Sequence, residues 1–176
     1  MQRWKIILYN TSFALNCLLA FLLIFEQRLW IPAWLQTVGR MHPLLLHFPI
    51  VLILLCIFWE GVAGFKKQPS PETRSIGDGL LLITSLSAVS TALMGLLLSK
   101  EGGYAQDVVA WHKWGGILIS FVSLAWYGFR YYVRRTKIVL ALTVVSSIVL
   151  ISITGHQGAN ITHGENFLFA PLETGE

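Results

Sequence analysis

The chain has 176 residues, of which 55% are hydrophobic and only 12% are charged, whereas soluble domains usually carry about 25% charged residues. Its mean hydropathy of +0.63 and its long apolar runs exclude a water-soluble enzyme and indicate an integral membrane protein. The net charge of +4 comes from basic residues between apolar runs, as in cytoplasmic loops of membrane proteins, so no nucleic acid partner is expected.

Five apolar runs are each close to the ~20 residues that a helix needs to cross the hydrocarbon of a bilayer. Helices satisfy every backbone polar group internally, so the sequence predicts an all-α bundle of five transmembrane helices in one domain, residues 1–176. The predicted spans are Ile6–Phe25, Pro43–Phe65, Ile76–Ser99, Trp114–Tyr132 and Ile138–His156. The first is followed by Glu26, Gln27 and Arg28 instead of a small-residue cleavage site, so we interpret it as a retained helix and not as a signal peptide.

The distribution of basic residues predicts the orientation of the bundle. With a cytoplasmic N-terminus and a periplasmic C-terminus, nine Lys and Arg residues face the cytoplasm and four face outwards. The nine are Arg3, Lys5, Lys66, Lys67, Arg74, Arg130, Arg134, Arg135 and Lys137, and the four are Arg28, Arg40, Lys100 and Lys113. The expected location is the inner membrane of a bacterium, as a multi-pass protein whose first partner is the lipid bilayer.

Local features refine this organisation. Pro49 is expected to kink the start of the second span, and Pro32–Val38 is expected to form a short helix along the outer surface. In the third span Ser87, Thr91 and Gly95 recur at four-residue spacing, a stripe of small residues that allows close helix packing. No internal repeat is evident. Near the inner ends of their spans, Glu60 and Asp78 are expected to pair with Lys66, Lys67 or Arg74.

The histidines are the main candidates for function. In the predicted topology all five lie at the outer ends of their helices, and ionisable residues at such depths usually line a site or pathway. They are His42, His47, His112, His156 and His163. We expect His47, His112, His156 and His163 to face one interior cavity, with His42 nearer the surface. If the fifth helix continues to His163 and stops at Gly164, His156 and His163 share a face; otherwise a glycine-rich loop positions both.

Imidazole is a good ligand for zinc, copper and haem iron. A b-type haem between helices, with an imidazole from each side, best explains the shared face, and a copper or zinc site built from several of these histidines is the alternative. A third interpretation is that the histidines are purely structural. Neither Cys17 nor Cys56 belongs to a Cys-x-x-Cys-His motif, which excludes covalently attached c-type haem on this chain.

Two histidine segments resemble a known family. The segment MHPLLLHFPIVLILL resembles the signature LHPLxVHFPIALLLL of a bacterial membrane family named domain of unknown function 2231. The segment GHQGANITHGENFLFAPL resembles the GHxGxxxTHGExYL ending of a subset that accompanies c-type cytochromes. The resemblance covers about residues 41–172, excludes the first span, and implies haem binding or electron transfer through the five histidines.

These observations together predict a membrane electron-transfer subunit instead of a stand-alone enzyme. It would bind b-type haem at the periplasmic face and act between quinol and a separate cytochrome c partner. The alternative is a non-redox subunit of a larger membrane complex, with a copper or zinc site or with structural histidines.

Overall fold

The computed structural model describes residues 3–65, 69–101 and 106–164. Its α-helices are α1 (Arg3–Ile24), α2 (Ala33–Arg40), α3 (His42–Leu45), α4 (His47–Phe65), α5 (Pro71–Leu98), α6 (Gln106–Arg135) and α7 (Lys137–His163), with a 3-10 turn at Glu26–Arg28. Five of them, α1 and α4–α7, are long and apolar enough to cross a membrane. The predicted all-α bundle of five spans is therefore confirmed. Lys66, Lys67 and the tail after Gly164 fall outside the described residues.

Helix ends follow from local chemistry. Ser70 caps α5, because its hydroxyl accepts a hydrogen bond from the Thr73 backbone N–H at 3.1 Å, and Pro71 occupies the first helical position. Helix α7 continues to His163 and is followed by Gly164 at a φ of 89°, a conformation that favours glycine. The structure thus contains the first of the two alternatives for the fifth helix, in which the helix continues through both histidines.

Pro49 divides the second span into two helices. Helix α3 ends at Leu45, Leu46 forms a turn, and α4 begins at His47. The physical reason is that proline at position 49 has no N–H for the Leu45 carbonyl, and its ring clashes with that carbonyl in a regular helix. Leu46 itself keeps helical angles, with φ −60° and ψ −25°, so the five-residue spacing still puts His42 and His47 about 140° apart around the helix axis.

The spans form a closed four-helix arrangement with one helix outside it. Helix α5 contacts α4 and α6, α6 contacts α7, and α7 returns to contact α4. Helix α1 packs on the outside, against α5 and α6, and α2 lies across the end of α5. Helix α5 is the most buried span, because it has neighbours on the most sides. Two apolar clusters fill the interior, one around Leu82 and Trp126 and one around Leu19 and Val89.

Buried polar groups join the helices. In the span of α1, Asn16 accepts a hydrogen bond from the Ser120 hydroxyl of α6 at 2.8 Å, as expected for an asparagine between membrane helices. At the opposite end from the histidines, Arg134 binds both Glu60, at 2.8 Å, and Asp78, at 2.7 Å. This corrects the expected pairing of these carboxylates with Arg74, because α6 packs against α5 and carries its own arginines into that layer.

Candidate functional site

The five histidines lie at one end of the bundle, which we call the histidine end. His42 and His47 begin α3 and α4, His112 lies in the second turn of α6, and His156 and His163 lie in the last turns of α7. Because α4 and α6 run in one direction and α5 and α7 in the other, these helix ends meet on the same side. The structure therefore gathers the histidines as the sequence predicted, but it does not place them in one cavity.

His42 is partly buried between helices. Its Nδ1 atom lies 2.9 Å from the backbone carbonyl oxygen of Thr91 on α5. Its ring also packs on Gly95, where a Cβ atom would lie 3.0 Å from the imidazole. Burial lowers the pKa of His42, the bond to Thr91 opposes this effect, and His112 adds to the lowering. The ring is therefore neutral at pH 7, with its proton on Nδ1, since only a protonated nitrogen can donate to a carbonyl.

His112 has the same environment on the other pair of helices. Its Nδ1 atom lies 2.9 Å from the backbone carbonyl oxygen of Thr154 on α7. Its ring packs on Gly158, where a Cβ atom would lie 3.0 Å from the imidazole. In the neutral ring this hydrogen bond again leaves the lone pair on Nε2. No described residue hydrogen-bonds to the Nε2 atom of either His42 or His112.

The matching environments reveal an internal repeat that inspection of the sequence missed. Residues Thr84, Thr91 and Gly95 of α5 have the same spacing as Ser147, Thr154 and Gly158 of α7. The unit of a histidine helix followed by a Thr-x-x-x-Gly helix thus occurs twice, as α3–α5 and as α6–α7. Both units run in the same direction through the bundle, so equivalent residues lie at the same depth, and His42 and His112 meet near the bundle axis. The Thr-x-x-x-Gly pattern is visible in the sequence. Its role can be assigned only from the structure, in which each glycine lies against a histidine ring.

The two equivalent rings lie against each other. Their centroids are 5.9 Å apart and their planes are inclined by 82°. Two imidazoles on opposite sides of one metal ion have centroids about 6 Å apart, because a metal–nitrogen bond to histidine is about 2 Å. The centroid separation of His42 and His112 is close to this value. Each Nδ1–H bond to a carbonyl is also the outer hydrogen bond that orients metal-binding histidines.

The other three histidines do not join this pair. His47 is exposed on the first turn of α4, His156 is partly exposed on α7, and His163 is exposed at the end of α7. The expectation that His47 is deep and His42 superficial is wrong, because the two residues lie about 140° apart around the helix and His42 is the one that faces α5, whereas His47 is exposed. Among residues 3–65, 69–101 and 106–164, no group of three or more His, Cys, Asp or Glu side chains is arranged to hold a metal ion.

Charged residues fasten the helix that carries His112. Lys113 on α6 and Lys100 after α5 both bind Glu26, at 2.6 Å and 3.0 Å. Burial by itself would raise the pKa of Glu26, but the hydrogen bonds from the two lysines outweigh it and the pKa is lowered. Glu26 therefore stays ionised and ties the end of α1 to the histidine end. Around it, Trp30, Trp34, Trp111 and Trp114 are all exposed, as expected for residues at a membrane boundary.

A family comparison covers this whole site. Residues 40–164 match the family described as predicted membrane protein, DUF2231. The chain belongs to the DUF2231 family. The matched region begins just before His42 and ends just after His163, so it includes all five histidines and both repeat units, whereas α1 lies outside it. No curated protein and no solved structure matches the chain.

Proposed function

We propose that this DUF2231 protein is a membrane electron-transfer subunit that binds b-type haem through His42 and His112. It would act at the periplasmic face, between quinol in the bilayer and a cytochrome c partner. The observation that carries the proposal is the pair of equivalent imidazoles, 5.9 Å apart, each oriented by a backbone carbonyl.

The chemistry of the donors supports haem. Each ring uses Nδ1 for a backbone carbonyl, so its Nε2 atom would be the one to bind haem iron, for which imidazole is a suitable ligand. His42 comes from α3 and His112 from α6, so the two ligands approach from different helices, as in other helical bundles that hold a cofactor. Haem supplies reversible one-electron transfer when it is bound. The pair replaces the ligand set that we expected from the sequence, in which His47, His112, His156 and His163 faced one cavity.

The surrounding residues would perform three tasks. The carbonyls of Thr91 and Thr154 fix the tautomer and the ring orientation of the two histidines. Gly95 and Gly158 allow each ring to lie directly on the neighbouring helix, since a side chain there would touch the imidazole. Leu96 and Ile117, which follow Gly95 and His112 along α5 and α6, belong to a buried apolar cluster and would limit the access of water from the interior. These features hold both rings in fixed orientations.

The decisive experiment is a reduced-minus-oxidised absorbance spectrum of the purified full-length protein, combined with a metal analysis. We expect b-type haem bands that carbon monoxide does not change, because two histidines would saturate the iron. Absence of haem bands together with stoichiometric copper or zinc would instead support the alternative metal site.

A structural role for the pair is the second candidate, because hydrogen bonds to Thr91 and Thr154 alone hold both rings in place. In that case the purified protein contains neither haem nor a stoichiometric metal. The helices would then serve as a non-redox subunit of a larger membrane complex. The same two measurements therefore distinguish all three interpretations.

A further inference from the structure

A small cavity in the middle of the bundle contains an unpaired hydrogen-bond donor. The cavity lies between α4, α6 and α7 and is lined by aliphatic side chains together with Ser123, Trp126 and Ser147. Trp126 is only 5% exposed, and its indole Nε1 has no hydrogen-bond partner among the described residues. A buried indole N–H in a membrane protein normally donates to an acceptor inside the protein, because lipid tails have no acceptor and bulk water does not reach it.

The two serines in the cavity can accept but not donate further. The Ser123 hydroxyl donates to the Ile119 carbonyl at 2.7 Å, and the Ser147 hydroxyl donates to the Thr143 carbonyl at 2.8 Å. Each hydroxyl has one proton, so both oxygens present only lone pairs to the cavity. The cavity thus has one free donor and two free acceptors.

In the other unit of the internal repeat, α3–α5, the residue equivalent to Trp126 has a direct hydrogen-bond partner. Cys56 follows His42 by the same number of residues as Trp126 follows His112, so Cys56 and Trp126 occupy equivalent positions. Thr84 of α5 is likewise the equivalent of Ser147 of α7. The Thr84 hydroxyl also donates to its own helix, at the Leu80 carbonyl. Cys56 Sγ lies 3.2 Å from that hydroxyl and so donates to it directly. In the α6–α7 unit, the indole of Trp126 makes no such direct hydrogen bond to Ser147.

We propose that one water molecule bridges Trp126, Ser123 and Ser147 within the membrane. It accepts from the Trp126 indole N–H and donates to the two serine oxygens, which gives the three hydrogen bonds that are typical of a buried water. The cavity volume of ≈ 10 Å³ is close to the smallest that holds one water, about 10–15 Å³. The volume excludes a larger ligand unless the helices separate.

The test is NMR of the full-length protein in lipid nanodiscs, in which the Trp126 indole signal is assigned from its loss in Trp126→Phe. We expect a cross-peak between the Trp126 indole proton and water, with the sign of a slowly tumbling complex. Trp59 is the internal control, because its indole donates to the Thr73 carbonyl at 3.0 Å and requires no water. A Trp126 proton with the upfield shift of an unbonded indole and no water cross-peak would overturn the proposal.

Two substitutions at one position test the serine contact. Ser147→Ala removes an acceptor and is expected to weaken the water cross-peak at least severalfold. Ser147→Thr keeps the hydroxyl, as Thr84 does in the other half, and is expected to retain the cross-peak. An unchanged cross-peak in Ser147→Ala would show that the water does not bridge to Ser147 and would contradict the proposed site. Neither variant alters a group near His42 or His112, so the result is independent of haem binding.

Discussion

At the scale of single residues, the tautomer of two histidines determines what the histidine end can bind. His42 and His112 each use Nδ1 for a backbone carbonyl, so Nε2 is the atom that the proposed ligand would occupy. A histidine held only by water or headgroups would have no such fixed direction. The distinction separates this pair from His47, which is exposed.

Replacing either ring of the pair should remove the cofactor. In His42→Ala or His112→Ala, we expect the haem content per protein to fall by about tenfold or more, because one axial ligand is lost. His47→Ala is the matched control, since His47 begins the adjacent helix but is exposed, and it should keep its haem. Pigment-to-protein ratios of the purified variants provide the measurement. If His47→Ala alone lost haem, the ligand assignment would be wrong.

The stability of the protein should depend on the protonation of His42. Its pKa is lowered in the folded state, so the unfolded chain binds a proton more readily. The resulting stabilisation is complete above the unfolded pKa of about 6.5 and is lost as the pH falls towards the lower folded pKa. Thermal unfolding of the cofactor-free protein should therefore show a lower Tm at pH 5 than at pH 7.5. In His42→Asn the difference should be smaller, and an equal difference would assign the effect to another group.

At the scale of elements, close contact between α6 and α7 positions His112. A Cβ atom at Gly115 would collide with the side chain of Thr154, whose carbonyl holds His112. At the neighbouring Gly116, a Cβ atom would meet nothing within 4 Å. The two glycines thus form a matched pair in which only the helix contact differs.

Gly115→Ala should destabilise the protein by about 1–3 kcal/mol, the usual cost of overpacking a tight contact. Gly116→Ala should leave stability equal or raise it by about 0.5–1 kcal/mol, because alanine favours a helix more than glycine does. Thermal unfolding in detergent compares the two. Similar losses in both variants would mean that α6 and α7 are not as close as the structure shows.

The charged layer at the other end joins α4, α5 and α6. Glu60 is 2% exposed and lies against Arg134, which also binds Asp78. Replacement of Arg134 by leucine leaves Glu60 buried without its counter-ion, so we expect a loss of about 3–5 kcal/mol in unfolding free energy. The double variant Glu60→Leu with Arg134→Leu should recover most of this loss, because both charges are then absent. A double variant as unstable as the single one would refute this account.

At the scale of the whole molecule, the two ends of the bundle differ in charge. Among the described residues, the histidine end carries four Lys and Arg residues, whereas the opposite end carries seven, namely Arg3, Lys5, Arg74, Arg130, Arg134, Arg135 and Lys137. The excess of basic residues predicts that the former end faces the cytoplasm. The histidine pair would then lie on the periplasmic side, where a cytochrome c partner could reach it.

A topology reporter tests this orientation. Alkaline phosphatase fused after Glu176 should be active, because that enzyme requires the periplasm, and the same enzyme inserted after Lys67 should be inactive. A fluorescent protein that folds only in the cytoplasm should give the opposite pattern at the two positions. Reversed results would place the histidine end in the cytoplasm and would exclude a periplasmic electron acceptor.

The sequence by itself determined the class of the protein, the number of spans and the end at which the histidines gather. Lengths of apolar runs decide these features, because a helix of about 20 apolar residues is stable in lipid whatever it packs against. The small residues Thr91 and Gly95 were also evident, since they depend on spacing within one helix. The sequence left open whether the fifth helix continues to His163 and stops at Gly164, and the structure shows that it does.

Only the tertiary structure decided which histidines meet. His42 and His112 are partners because two repeat units bring α3 and α6 together, and the carbonyls of Thr91 and Thr154 come from neighbouring helices. The depth of His47 along the second span had favoured it, but the side chain lies on the exposed face of its helix. The contacts between helices depend on rotation and depth, and these are set by packing against several neighbours at once instead of by any one segment.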